Sequence, residues 1–237
     1  ECNSSNRGIV VGLVSLEAAK AFAEVSTDRL DDKLTAILRG AEDAVRAHCG
    51  RDLEDGFVSK SRTYYPPLSE LGTTKLALPE RPVTAITSIN IDSTGYYGVP
   101  SGAFASDTLQ TNGTQYVLEL DDGSSSTSGT VIKLPGILGG SATAPSSQSS
   151  VWPAYTGGVK IVYTGGYVPR PHSSPTMPRL IEMAVCTLFR EIWVTSKEGM
   201  PLDSQAILAM SYQVAGDAIT RMSSVQKWLS SFREVAI

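Results

Sequence analysis

The sequence predicts an α+β protein, with a helical bundle formed from the N- and C-terminal helices and an inserted antiparallel β domain. Apolar residues recur at helical spacing over residues 28–49 and again over 178–197. Between these helices, short β-branched and aromatic runs are separated by glycine, proline, serine and aspartate, which is the pattern of strands and turns. Helices kept apart from strands along the chain are typical of the α+β class.

The predicted domain boundaries follow from the same patterns. Residues 1–57 and 169–237 form the helical bundle domain, and residues 58–168 form a β-rich domain with Ser/Gly-rich loops. The bundle can form only if helices 28–49 and 178–197 pack their apolar stripes together. The stripe residues predicted to be buried are Leu34, Leu38, Val45, Val185, Leu188 and Ile192.

Local signals place the individual elements. Ser15 is a favourable N-cap for the first helix, Thr27 or Asp28 can cap the second, and Gly50 suits the end of the second. Helices are predicted at residues 15–25, 28–49, 178–197, 204–215 and 223–235, and strands near 58–65, 74–78, 84–91, 114–120, 130–134 and 159–164.

Two polar loops interrupt the β region. More than half of residues 121–150 are glycine, serine or threonine. Such segments bury too little apolar surface to offset the entropy of ordering them. We therefore predict that residues 121–128 and 141–150 contact other subunits or other proteins wherever they are ordered.

Composition excludes several classes of protein. The 237 residues carry a net charge of −4 and no lysine/arginine cluster, which disfavours tight binding to DNA phosphates. Three widely spaced cysteines, Cys2, Cys49 and Cys186, do not form a disulfide framework and fit folding in a reducing cytoplasm. No run reaches the roughly 18 apolar residues of a membrane span, so no membrane association is predicted.

The sequence contains no recognisable catalytic or metal-binding motif. Its two histidines, His48 and His172, lie far apart, and neither a CxxC pair nor an HExxH helix is present. The serines form no GxSxG elbow, and the glycine pairs lack the Lys-Ser/Thr of a phosphate loop. The predicted protein is not an enzyme, and no cofactor or metal is expected.

Aromatic residues offer two candidate contact surfaces. Trp228, Leu229 and Phe232 give the short last helix a large apolar face, with Arg233 beside it. An isolated helix of that length is marginal in water, so it must dock on its own bundle or on a partner. Trp152 and Tyr155 form the second candidate interface, and they are also the residues that a carbohydrate-binding module would use.

Three segments carry a resemblance to a known family. Residues 14–22 (VSLEAAKAF), continued by 31–38 (DDKLTAIL) and 41–45, make up the first. Residues 78–89 (LPERPVTAITSI) are the second, and residues 162–167 (VYTGGY), followed by Pro178 and its helix, are the third. In this order the segments resemble the head–tail connector, or adaptor, family of tailed bacteriophages.

The resemblance implies a structural virion protein, located in the neck of the particle and in the host cytoplasm before assembly. It implies a ring of the chain with itself, typically a dodecamer, below the portal protein. A neck, stopper or tail protein would dock beneath, and viral DNA would pass through the lumen without specific binding. The alternatives are a tail terminator, a capsid decoration protein and, further away, a carbohydrate-binding module.

Overall fold

The computed structural model describes residues 12–92, 104–121, 123–135, 150–154, 157–170, 172, 174–197 and 216–233. These residues form two compact units. The described residues up to Val58 and from Tyr167 onward belong to a helical unit, and the described residues of Ser59–Gly166 belong to a β unit. The architecture is α+β, with N- and C-terminal helices packed together and antiparallel sheets inserted between them, as the sequence predicts.

The helical unit is organised around two long helices that pack against each other. All six residues predicted for the shared stripe are at most 6% exposed, which confirms that prediction. Phe189 and Trp193 add aromatic volume to the same core. The helices are α1 (Leu16–Phe22), α2 (Asp31–His48), α3 (Arg179–Lys197) and α4 (Ser223–Ser230), and residues 216–221 are also helical.

The helix ends follow the sequence signals in part. The Ser15 hydroxyl accepts a hydrogen bond from the Ala18 N–H at 3.3 Å, and Gly50 after α2 has a φ of 71°. The predicted cap of α2 is wrong, because α2 begins at Asp31 and its N-cap residue Leu30 makes no side-chain bond. Asp28 instead accepts a hydrogen bond from the Lys20 ammonium at 2.6 Å, which removes it from the capping position.

A buried carboxylate joins the start of the described chain to α2. Glu42 Oε1 accepts the Leu13 and Val14 N–H groups at 2.6 and 3.1 Å. Glu42 Oε2 lies 3.7 Å from Arg46 Nη2, and Arg46 Nε donates to the Gly56 carbonyl at 3.3 Å. Both side chains are at most 4% exposed. Glu42 thus holds the segment before α2, and Arg46 holds the segment after it.

The chain leaves and re-enters the helical unit at one place. The Tyr167 N–H donates to the Phe57 carbonyl at 2.6 Å, and Val58 forms an isolated parallel bridge with Tyr167. Phe57 is fully buried in the helical core. The two connections to the β unit are therefore hydrogen-bonded neighbours.

The β unit contains two three-stranded antiparallel sheets. One has the order β1-β6-β3 and the other the order β2-β5-β4. All six strands lie where the sequence predicts them. They are β1 (Lys60–Tyr64), β2 (Lys75–Ala77), β3 (Val83–Ile91), β4 (Tyr116–Leu118), β5 (Thr130–Lys133) and β6 (Val159–Gly165).

Two of the sequence segments described above contact each other within the β unit. The Tyr163 hydroxyl is buried and accepts the Glu80 N–H at 3.2 Å, and the Gly166 N–H donates to the Pro82 carbonyl at 2.9 Å. A Cβ at Gly165 would collide with the Glu80 carbonyl oxygen. The glycine is therefore required by close backbone approach.

Residues 121 and 123–128 are held by contacts within their own chain. The Asp121 carboxylate accepts hydrogen bonds from Thr127 and from the Ser128 N–H, and Ser126 is fully buried and pairs with Val83 through both backbone groups. The polar composition is offset by side-chain hydrogen bonds. This corrects the reason given for the loop prediction, while contact of the loop with other subunits stays a prediction. Residues 141–149 and the predicted helix 204–215 lie outside the described residues.

The packing of α2 on α3 generates the first testable prediction. Leu38→Ala should lower the free energy of unfolding by about 2–5 kcal/mol, because it removes buried methyl groups and leaves a cavity. Urea unfolding followed by circular dichroism measures the change. Leu180→Ala on α3 is the control, since Leu180 is 40% exposed and should cost far less. Equal effects of the two substitutions would contradict the packing described here.

The second prediction concerns Glu42. Glu42→Ala should lower the free energy of unfolding by about 2–5 kcal/mol, because it leaves the buried Leu13 and Val14 N–H groups without an acceptor. It also removes one of the two carboxylates near Arg46, which keeps Asp43 at 3.1 Å. Glu42→Gln should cost less, since its amide oxygen still accepts the two N–H groups of the N-terminal segment. Chemical unfolding of both variants at neutral pH tests this order, and an Ala variant as stable as the Gln variant would contradict it.

Glu42 also has a defined pH signature. Burial is the largest influence on this carboxyl and raises its pKa above the ordinary value of 4.5. The folded chain then binds a proton more readily than the unfolded chain between 4.5 and the raised value. The wild type should therefore gain stability relative to Glu42→Gln as the pH falls through that window. Unfolding curves of the two proteins between pH 7 and pH 4 measure the difference.

Candidate subunit interface

The described residues contain no cluster suited to binding a metal ion. No group of three or more histidine, cysteine or acidic side chains converges within this part of the chain. Cys49 and Cys186 are buried, and burial raises the pKa of each thiol to about 11, so both are protonated at neutral pH. None of the helices that the structure describes has the length and apolar character to cross a bilayer.

The C-terminal helix docks on its own helical unit. Val225 and Leu229 are fully buried in the core. The Leu229 carbonyl lies 3.9 Å from the Cys49 thiol, and Arg51 Nη2 donates to the Phe232 carbonyl at 3.4 Å. These contacts settle where α4 packs within the chain, which the sequence left open between its own bundle and a partner.

The predicted interface residues divide into buried and accessible sets. Leu229 and Trp152 are fully buried, each in the core of its own unit, so neither offers a surface to a partner. The sequence pattern could not separate them from interface aromatics, because core and interface use the same side chains. Trp228 and Phe232 are half-buried and Arg233 is exposed. Tyr155 lies outside the described residues.

A groove runs between the end of α2 and the polar face of α4. Its volume is about 460 Å³. The α4 residues that line it follow helical spacing on the side opposite Val225 and Leu229, which is a signal that the sequence carries. The other wall is formed by His48 at the end of α2, and its place there depends on the fold and not on the local sequence. The lining residues are His48, Ser223, Gln226, Lys227, Ser230 and Arg233.

The groove is cationic. Burial, followed by the nearby Arg233 charge, lowers the pKa of His48 below its ordinary value of 6.5, so His48 is neutral at pH 7. Lys227 and Arg233 supply the positive charge, and neither forms an ion pair among the described residues. No carboxylate lines the groove in the part of the chain that the structure describes. The groove is therefore suited to an anionic group.

The comparisons with known proteins place the fold. No family model and no curated protein matches the sequence. Among solved structures, the chain is similar to one from the "neck of empty GTA particle computed with C6 symmetry", at 15% identity and a TM-score of 0.53, covering 97% of this chain and 94% of that one. It also matches a chain from the "virion of native gene transfer agent (GTA) particle", at 16% identity and a TM-score of 0.49, covering 96% and 95%. The first likeness shows that this chain has the fold of a protein in a particle neck.

Proposed function

We propose that this chain is a head–tail connector, a structural subunit that assembles into a ring below a portal and extends the DNA channel. The observation that carries the proposal is the fold likeness to a neck chain over 97% of the residues. A likeness at this level of identity concerns the fold. The inference from fold to function therefore also rests on the sequence segments that resemble the adaptor family.

The structure explains why those segments occur together. The first builds α1 and α2, the long helix of the core. The second and third are joined by the bonds from Glu80 to Tyr163 and from Gly166 to Pro82. The resemblance therefore involves both units of the chain, which supports a likeness of the whole architecture and not of a single domain.

A ring is the assembly that fits a neck. The similar neck was described with six-fold symmetry, and a ring of twelve copies contains a six-fold axis, as does a ring of six. Viral DNA would pass through the lumen without specific binding, in keeping with a net charge of −4. The proposed partners are further copies of the chain, the portal protein above, and a neck, stopper or tail protein below.

The surface around α4 is the proposed contact with a partner. Trp228 and Phe232 each keep part of an aromatic ring accessible, and Arg233 is exposed beside them. Half-buried aromatics next to an arginine are typical anchors of protein interfaces. Trp228 lies on α4, and Phe232 and Arg233 follow directly after it, so this surface exists before assembly and need not fold on binding.

The direct test of the proposal, and the third prediction, is reconstitution. The full chain mixed with the purified portal of the same particle should form a ring on one face of the portal, visible by electron microscopy with symmetry analysis. The isolated capsid shell and the tail tube serve as comparison partners. Binding to the tail tube alone would contradict the connector proposal and favour a tail terminator. Binding to the shell alone would favour a capsid decoration protein.

The fourth prediction tests the aromatic anchor. Trp228→Ala should weaken portal or ring binding by about 2 kcal/mol or more, the scale of an interface hot spot. Val225→Ala on the same helix is the matched control, because Val225 is fully buried. It should lower the unfolding free energy and leave the affinity of the folded chain unchanged. Calorimetry with folded fractions checked by circular dichroism separates the effects, and unchanged binding of Trp228→Ala would exclude this anchor.

A further inference from the structure

The helical unit carries opposite charges at the two ends of one helix. The cationic groove lies at the His48 end of α2. An acidic segment, defined as residues 24–32, lies at the Asp31 end, and its carboxylates are Glu24, Asp28, Asp31 and Asp32. A helix of 18 residues separates these ends by about 26 Å at 1.5 Å per residue.

The acidic segment has more carboxylates than internal partners. The Lys20 ammonium is shared between Asp28 at 2.6 Å and Asp31 at 2.8 Å, so one cation serves two anions. Glu24 and Asp32 are exposed and form no ion pair among the described residues. Two other cations lie nearby. The Lys33 ammonium is 6.0 Å from the centre of the Trp193 ring, and Arg29 is exposed to solvent.

Charge compensation within the helices does not account for this arrangement. Acidic groups favour the start of a helix, which explains Asp31 and Asp32. Glu24 lies before α2 and follows the end of α1, so it belongs to neither helix start. On the other side, Lys227 and Arg233 face a concave groove whose lining, among the residues that the structure describes, includes no carboxylate. Each end therefore has charge that the described residues leave uncompensated.

We propose that the groove binds the acidic segment of an adjacent copy of this chain. The inference rests on the proposed ring. A ring requires a head-to-tail contact, in which two different surfaces of one subunit meet those of its neighbours. Complementary charges at opposite ends of a rigid helix provide such a pair of surfaces. They also fix the direction of assembly, because like ends repel.

DNA phosphate is the competing occupant of a cationic groove. Binding of a duplex depends on many phosphate contacts, while this groove presents Lys227 and Arg233 with a neutral His48. The chain has a net charge of −4 and itself contains the matching acidic segment. These observations favour the adjacent copy, and the experiment below includes DNA as an alternative outcome.

The test, and the fifth prediction, is a charge exchange between the two surfaces. The groove variant combines Lys227→Glu with Arg233→Glu, and the segment variant combines Glu24→Lys with Asp32→Lys. Each alone brings like charges together and should reduce the assembled fraction about tenfold or more. An equimolar mixture should restore rings of alternating subunits, and so should a single chain with all four substitutions. Analytical ultracentrifugation and electron microscopy measure assembly, on the portal if the portal is needed.

The controls separate this inference from the function on which it rests. Arg179→Glu with Arg190→Glu makes the same change in net charge on exposed residues of α3 and should leave assembly unchanged. Circular dichroism verifies that every variant is folded. A wild type that forms no ring, alone or on its portal, overturns the proposed function and this inference with it.

Two other results would overturn the inference alone. One is a groove variant that assembles like the wild type, and if that variant loses affinity for duplex DNA, the groove is a phosphate site. The other is a mixture of the two variants that fails to assemble, which would mean that the two surfaces do not meet.

Raising the salt concentration should shift wild-type rings toward monomers, since exposed charges are screened within about 10 Å at 0.1 M.

Discussion

The apolar contact between α2 and α3 is the constraint on which the rest of the helical unit depends. The two helices are separated in sequence by everything between residues 48 and 179, so their packing closes a long loop. That cost is offset by two wide stripes that are buried together, with Phe189 and Trp193 filling the space between them. Once this contact exists, α1 and α4 have a surface on which to dock. The groove then forms from α4 and the end of α2.

Buried polar groups add specificity to an otherwise non-directional core. The Glu42–Arg46 pair stabilises one position of the N-terminal segment, because only that position brings the Leu13 and Val14 N–H groups to the carboxylate. A hydrophobic stripe alone would tolerate sliding of the segment along α2. In the β unit, Asp121 and the buried Ser126 play the same part by fixing a polar turn through hydrogen bonds.

The sequence predicts the elements of this fold better than its surfaces. Helical spacing and β-branched runs are local signals, and they locate α1, α2, α3 and the described strands to within a few residues. The last helix ends at Ser230 instead of residue 235, and the helical residues 216–221 lie outside the predicted helices. The predicted cap at Thr27 or Asp28 fails because α2 begins only at Asp31. The sequence leaves Trp152 open between a core and an interface position, because its burial depends on strands distant in sequence. The groove escaped prediction since His48 meets α4 only after the two ends of the chain have packed.

The adjacent connections at Phe57 and Tyr167 have a consequence for the evolution of the chain. The chain leaves and re-enters the helical unit at residues that are hydrogen-bonded to each other, so the helical unit is closed at the point of insertion. The inserted unit can therefore gain or lose residues without altering the path of α2 or α3. Substitutions can thus accumulate in the inserted unit while the packing of the helical core is kept.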